Sequence, residues 1–340
     1  MKRGYIVAAF DMKYAALVQD ILQQGVRAGN RTGIDTTKLF GVMLRQNLTK
    51  EGAPILSLRK LNPYKALIEA CWMLRGESNI RFLLERDCHF WDEWGFNQWI
   101  ASPVYDGPNM TNYGIRRIAD AGFAEEVKVQ MKRYCEKVLT DDEFALLYGD
   151  MGRVYGNVWR HFKGDDGKEY DQLATCIDTL KNNPQDRRII ISAWDIAAVN
   201  NPDIPCALPS CIDYLQWDVN PESNQLNLNF HLRSSDIYIG LPADFISYAG
   251  VLTAVAAVTG YDVGDLVYTA GNTHVYANHI DSLRELIQRN KTEEAKELPQ
   301  SKIIVKGIHT LEDLNNIDID NFQVLNYEPL PPIKGGFVAV

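Results

Sequence analysis

Little in this 340-residue chain points to a metal, a membrane or a nucleic acid. Its six cysteines (Cys71, Cys88, Cys135, Cys176, Cys206 and Cys211) form no CxxC pair and no regular framework. Cys206 and Cys211 have no paired-histidine motif beside them, so no zinc site is expected. Lys and Arg number 35 against 44 Asp and Glu, a net charge of −9, so non-specific binding to nucleic acid or anionic membrane is not the default role. Any phosphate site must then be a local arginine cluster working against the overall field. The opening segment, MKRGYIVAAFDMKYAALVQD, is broken by Asp11 and Lys13 before an apolar stretch develops, a poor match to a cleaved signal. No stretch is expected to reach the roughly 18–20 apolar residues of a membrane span. The sequence also lacks internal repeats and low-complexity linkers. These absences predict a reduced, soluble, cytoplasmic protein, with 46% hydrophobic residues available for a core.

What is present falls into two textures. Tyr14, Leu17, Ile21 and Leu22 recur at helical spacing and predict a helix over 13–25 that ends near Gly25. KLFGVMLRQNL, 38–48, suits a strand, and YKALIEACWMLR, 64–75, an apolar helix interrupted by Glu69. A further helix is predicted over 78–86, capped by Ser78. GFNQWIASPVYDGPNMTNYG is turn-rich and aromatic, followed by helices near 122–139 and 141–149. The stretch 95–150 therefore reads as an insertion or a small subdomain. From 186 the texture turns to β: RRIIISAW, CIDYLQWDV and QLNLNFHLR are separated by turn signals. Residues 244–259 are apolar enough for a helix at the centre of the core, and 302–308 and 322–327 are further strands. Runs of strands set apart from runs of helices predict an α+β fold.

The chemistry-bearing residues are weak signals one at a time. Cys211 follows a proline-containing turn at the start of a strand, where nearby cations would favour a thiolate; an ordinary buried cysteine is the plainer alternative. Arg31 in GNRTG, the pair Arg187–Arg188, and Arg233 in HLRSSD stand on separate loops from which arginines can converge on one phosphate, though each alone reads as a solvated surface residue. Glu69, an acid inside an apolar helix, suits proton transfer if buried and means nothing if it faces solvent. His274 and Tyr276, two apart on a strand, share one face. Trp91 and Trp94 are either core or a stacking platform.

Their order is a stronger signal. GNRTG, IEACWMLRG, FWDEW, VYGNVWR, DRRIIISAW, LPSC, RSSDIYIGLPADFISYA, GNTHVYANH and NYEPLPPIK…VAV resemble the thymidylate synthase family over 13–94 and 151–340. The resemblance implies one catalytic domain over 1–340, with 95–150 as a family-atypical insertion, and a large twisted sheet that packs against its twin in a homodimer. It implies Cys211 as the nucleophile that adds to pyrimidine carbon 6, making carbon 5 enamine-like toward 5,10-methylenetetrahydrofolate. Arg31, Arg233 and Ser234 match the phosphate-binding positions, and Arg187 and Arg188 the pair that crosses to the partner's nucleotide. Asp236 matches the residue that positions the base, His274 and Tyr276 the pair on the sugar 3′-hydroxyl, and Glu69 the acid that organises proton transfers. Tyr155 and Trp91 match active-site aromatics, Trp91 beside the folate, and the FVAV tail ending in Val340 resembles the segment that closes over it.

One departure bears on the base. Where the thymidylate-forming members carry Asn, GLPADFISYA has Asp244. A carboxylic acid donates to the ring nitrogen of cytosine and accepts from its amine; a carboxylate pairs equally with cytosine protonated on that nitrogen. Mismatched polar partners in a buried site give strong selection. The dCMP hydroxymethylases of the family carry the same exchange, so the chain is expected to hydroxymethylate dCMP, as in the synthesis of modified cytosine for phage DNA. The alternatives are a dCMP methyltransferase, a dUMP-methylating enzyme or a CMP hydroxymethylase. Ile212, Ser235, Asn272 and Asp195 depart from the family's His, Cys, Asp and Asn.

Overall fold

The computed structural model describes residues 8–30 and 32–333. Six strands form one mixed sheet in the spatial order Val26–Ala28, Thr36–Asn47, Asp262–Tyr276, Gln225–Asp236, Ile212–Asn220 and Ile190–Ser192. Neighbours are antiparallel except Gln225–Asp236 and Asp262–Tyr276, which run parallel. A parallel pair needs a crossover, and the helix Gly240–Thr259 supplies it. The alternation in QLNLNFHLR turns Leu226, Leu228, Phe230 and Leu232 into the core and leaves Asn227, Asn229 and His231 on the other face. The α+β architecture is therefore the expected one.

The crossover helix begins four residues before the predicted start and overturns the expectation that no segment has membrane-span length and composition. It runs 20 residues with a mean hydropathy of 1.6, yet 83% of that window is buried inside the fold. Phe245, Tyr248 and Leu252 are at most 1% exposed, and Gly260 ends the helix at φ 81°, the left-handed cap that glycine adopts without penalty. It packs on the helix Pro63–Leu74, which carries Glu69, so the two acids Glu69 and Asp244 are brought from distant parts of the chain to one place.

Two other predictions need correction. The helix over 78–86 shrinks to Arg81–Leu84, and Ser78 does not cap it. The backbone of 78–80 is paired with 149–151 instead: Met151 N–H donates to Ser78 O, and Ile80 N–H to Gly149 O. The turn-rich reading of GFNQWI also fails, because Asp92–Ile100 is a helix. Asp92 and Glu93 in its first turn complement the helix dipole, and Phe96 and Trp99 bury a common face. With Tyr113–Ala119, Ala121–Thr140 and Asp142–Tyr148 it forms a small helical lobe. Gly95 permits the lobe's close packing: a Cβ there would lie 1.8 Å from Tyr134 Oη and 2.9 Å from Tyr148 O.

Candidate active site

Cys211 sits where the strand Ile212–Asn220 begins, and pairing with Gln225–Asp236 slips between Ile212 and Tyr214. Such irregularities re-aim side chains at sheet edges. The thiol opens on a cleft of about 710 Å³, also lined by Arg233, Ser234, His274 and Tyr276. Five of the residues expected from the sequence thus meet in one cavity. Arg233 holds the cysteine loop by donating from Nε to Ser210 O (2.7 Å) and from Nη2 to Pro209 O (2.7 Å). Burial raises the Cys211 thiol above its ordinary pKa, Arg233 pulls it down, and Asp244 pushes it up again. The resting nucleophile is therefore a protonated thiol.

Behind the cleft lies a connected polar and aromatic wall. Tyr155 accepts a hydrogen bond from Cys211 N–H at 3.3 Å and packs edge-on against Trp91, ring centroids 5.2 Å apart. Its φ of +37° is unusual for a non-glycine residue, and these contacts on both sides hold it there. Trp91 Nε1–H donates to Glu69 Oε1 at 2.9 Å. Trp91 itself is only 4% exposed; Trp94, 5.8 Å away between centroids, is the ring that lines the cleft.

Desolvation raises the Glu69 pKa above its ordinary value, against the hydrogen bonds from Trp91 and Ser247. Ser247 Oγ has a single proton and two oxygen neighbours, Ala66 O at 2.9 Å and Glu69 Oε2 at 3.1 Å. A protonated Glu69 resolves the conflict by donating to Ser247 while Ser247 donates to Ala66 O. Asp244 is likewise raised well above its ordinary value, first by desolvation and then by Glu69 and Asp236. No described residue hydrogen-bonds its carboxyl, which is partly accessible. Its surroundings favour the neutral acid, and its hydrogen-bonding capacity is open to a ligand.

Asp236 has a structural role that the sequence does not reveal. Its carboxyl caps the crossover helix, accepting from the N–H groups of Tyr238 (3.2 Å), Ile239 (3.1 Å) and Gly240 (3.3 Å). It thereby fixes the start of the helix that carries Asp244. His274 and Tyr276 do share a face, centroids 5.2 Å apart, with His274 Nδ1 3.1 Å from Asn272 Oδ1. Burial lowers the His274 pKa, so its imidazole is neutral.

Arg187 and Arg188 do not join the cleft of their own chain. Both are exposed just before the edge strand, and Arg188 pairs with Asp186 (Nη2 to Oδ2, 2.8 Å). Arg31 and Val340 lie outside the described residues, although Arg31's neighbours Asn30 and Thr32 line the cavity. Sequence reasoning missed Lys38, Asn97 and Trp194, which also line it, and Ser247 and Tyr248 behind it. Ser247 and Tyr248 stand three and four residues after Asp244, and that helical spacing was the available signal. Asp195, where the family has Asn, pairs with Arg153 (Oδ2 to Nη1, 3.0 Å) and caps the helix Ile196–Asn200.

Fold and cleft together define an α+β enzyme with a cysteine at a nucleotide-sized cavity. The chain belongs to the thymidylate synthase family, whose model, described as thymidylate synthase, matches residues 12–339. It is 39% identical over 329 residues to the thymidylate synthase of Leuconostoc mesenteroides subsp. mesenteroides, covering 95% of this chain and 97% of that one. Members of the family are folate-dependent one-carbon transferases, acting on pyrimidine nucleotides with 5,10-methylenetetrahydrofolate as cosubstrate. The aromatic wall of Trp94 and Trp91, with two acids whose burial favours their neutral forms, lies beside and behind the cleft.

Proposed function

We propose that this chain is a dCMP 5-hydroxymethyltransferase. The observation that carries the choice of base is Asp244, an acid within electrostatic reach of Cys211 that has no hydrogen-bond partner among the described residues and whose surroundings favour its neutral form. When a thiolate adds to carbon 6 of cytosine, the displaced electron pair arrives at ring nitrogen 3, which must then take a proton. A neutral acid hydrogen-bonded to that nitrogen supplies it, and an amide does not. Uracil already carries its nitrogen-3 proton, so it has no need of such an acid.

The other residues follow from this pose. Arg233, Ser234 and Arg31 hold the phosphate, joined by Arg187 and Arg188 contributed by the partner subunit of a homodimer. Those two arginines are exposed and do not line their own cleft, which accords with such a crossing. His274 and Tyr276 orient the sugar 3′-hydroxyl. Glu69, protonated and fixed by Trp91 and Ser247, relays protons at the base, and Tyr155 holds the loop of the nucleophile. Bound 5,10-methylenetetrahydrofolate supplies the carbon unit, and Trp91 with the Val340 tail encloses it. Asn272 presents an amide at the cleft where the family has an acid, and we assign it the ordering of the water that completes a hydroxymethyl group.

A second reading, methyl transfer to the same base, is favoured by the tight enclosure of Trp91, which would exclude that water. Incubation with dCMP and 5,10-methylenetetrahydrofolate separates the two. A hydroxymethyl product without dihydrofolate supports the first reading, and a methyl product with stoichiometric dihydrofolate replaces it with the second. Cytoplasmic location and a role in nucleotide supply for DNA modification are consistent with either product.

A further inference from the structure

We propose that His89, Asp92 and Cys135 form a site for one zinc ion that ties the Trp91 wall of the cleft to the helical lobe. His89 Nδ1 lies 2.7 Å from Asp92 Oδ2, Cys135 Sγ lies 3.2 Å from the same oxygen, and the three donor atoms fall within 4.8 Å of one another. A tetrahedral zinc ion with ligands at about 2.0–2.3 Å separates its donors by roughly 3.5 Å, so small side-chain movements would admit it. Imidazole, thiolate and carboxylate together favour zinc over magnesium or calcium, which take oxygen alone.

Two further observations point to a cation. Asp92 is 7% exposed, yet its Oδ1 has no hydrogen-bond partner, an uncommon state for a buried carboxylate oxygen. His89 Nε2 faces Asp87 Oδ1 at 3.1 Å. When Nε2–H donates to that carboxylate, the Nδ1 lone pair is turned toward Asp92 and Cys135, as in carboxylate–histidine–metal triads. Binding to the Nδ1 lone pair leaves the Nε2 proton in place and displaces the thiol proton of Cys135, which is released to solvent. The His89 side chain is 52% exposed and gives the ion a way in.

The position has a consequence for the cleft. Trp91 stands between His89 and Asp92 and holds Glu69, whereas Cys135 belongs to the helix Ala121–Thr140. An ion on these ligands would couple the lobe to the acid that moves protons, whichever base the cleft takes. No motif announces the site, because the ligands come from two segments more than forty residues apart with no paired-cysteine spacing.

The test is a zinc titration of the purified full chain after dialysis against a chelator, read by competition with a chromogenic chelator and repeated with cobalt. The expected result is one zinc per chain and a thiolate-to-cobalt charge-transfer band that Cys135→Ser removes. Asp87→Asn should weaken binding about 10- to 100-fold. His89→Ala changes a half-exposed side chain, leaves folding intact and abolishes stoichiometric binding. Absence of stoichiometric binding overturns the proposal, as does binding that survives both Cys135→Ser and His89→Ala.

Discussion

Asp11 offers a test of the fold whose size follows from the structure. Its carboxyl is 2% exposed; Oδ1 accepts from Ser57 N–H at 2.8 Å and Leu58 N–H at 3.4 Å, while Oδ2 is unpaired. Burial outweighs those bonds and pushes its pKa up from 3.8 to about 7. A raised acid holds its proton more tightly in the folded state, so its contribution is most favourable below the unfolded pKa. It is lost progressively as pH rises from about 4 to about 7, on the order of 4 kcal/mol in all. Asp11→Asn keeps the acceptor and cannot ionise. Its replacement amide leaves donors without partners, a cost that is the same at every pH. The difference in stability between variant and parent should therefore move in the variant's favour by about 3 kcal/mol between pH 5 and pH 8. For a chain of this length that is roughly 4 °C in Tm. Thermal unfolding of both proteins at the two pH values measures it. A Tm difference that stays constant with pH would refute the idea that Asp11 is buried as a raised acid. The segment it holds also anchors the C-terminal arm, since Leu330 N–H donates to Ser57 O.

Three further outcomes follow. Asp244→Asn should lower kcat/KM for dCMP about 100-fold or more, roughly 3 kcal/mol for a lost proton donor, while turnover of dUMP rises; steady-state assays on both nucleotides check it. Inactive Cys211→Ala and inactive Arg188→Ala, unfolded and refolded together in equal amounts, should regain roughly a quarter of parental activity, because half the dimers carry one intact site if the arginine crosses the interface. No recovery would mean that each chain completes its own cleft. Gly95→Ala should cost about 1–3 kcal/mol by forcing a methyl group against Tyr134, read as a lower Tm.

Much of this was legible in the sequence because the signals were local. The strand Thr36–Asn47 and the helix Pro63–Leu74 lie within two residues of their predicted bounds, since alternation and helical spacing report directly on which side is buried. The short helix after Gly76 was misjudged because its backbone pairs with residues seventy positions later, which no window contains. Asp236 shows the same limit: a motif nominates the aspartate, but only the folded chain reveals that its oxygens also hold the N–H groups at the start of a helix. The raised pKa of Asp244 likewise comes from the folded surroundings, burial first and then the carboxyls of Glu69 and Asp236 on other elements. Arg187 and Arg188 are nominated through the resemblance as a pair serving the partner's cleft, and in the fold they do not line the cleft of their own chain.

The most direct measurement is a competition: one reaction containing equal dCMP and dUMP with 5,10-methylenetetrahydrofolate, the nucleotides resolved by mass. Dominant 5-substitution of dCMP, with dUMP recovered almost unchanged, is the predicted result. Thymidylate formed from dUMP with dCMP untouched would contradict the account and return this chain to the activity for which its Leuconostoc relative is named.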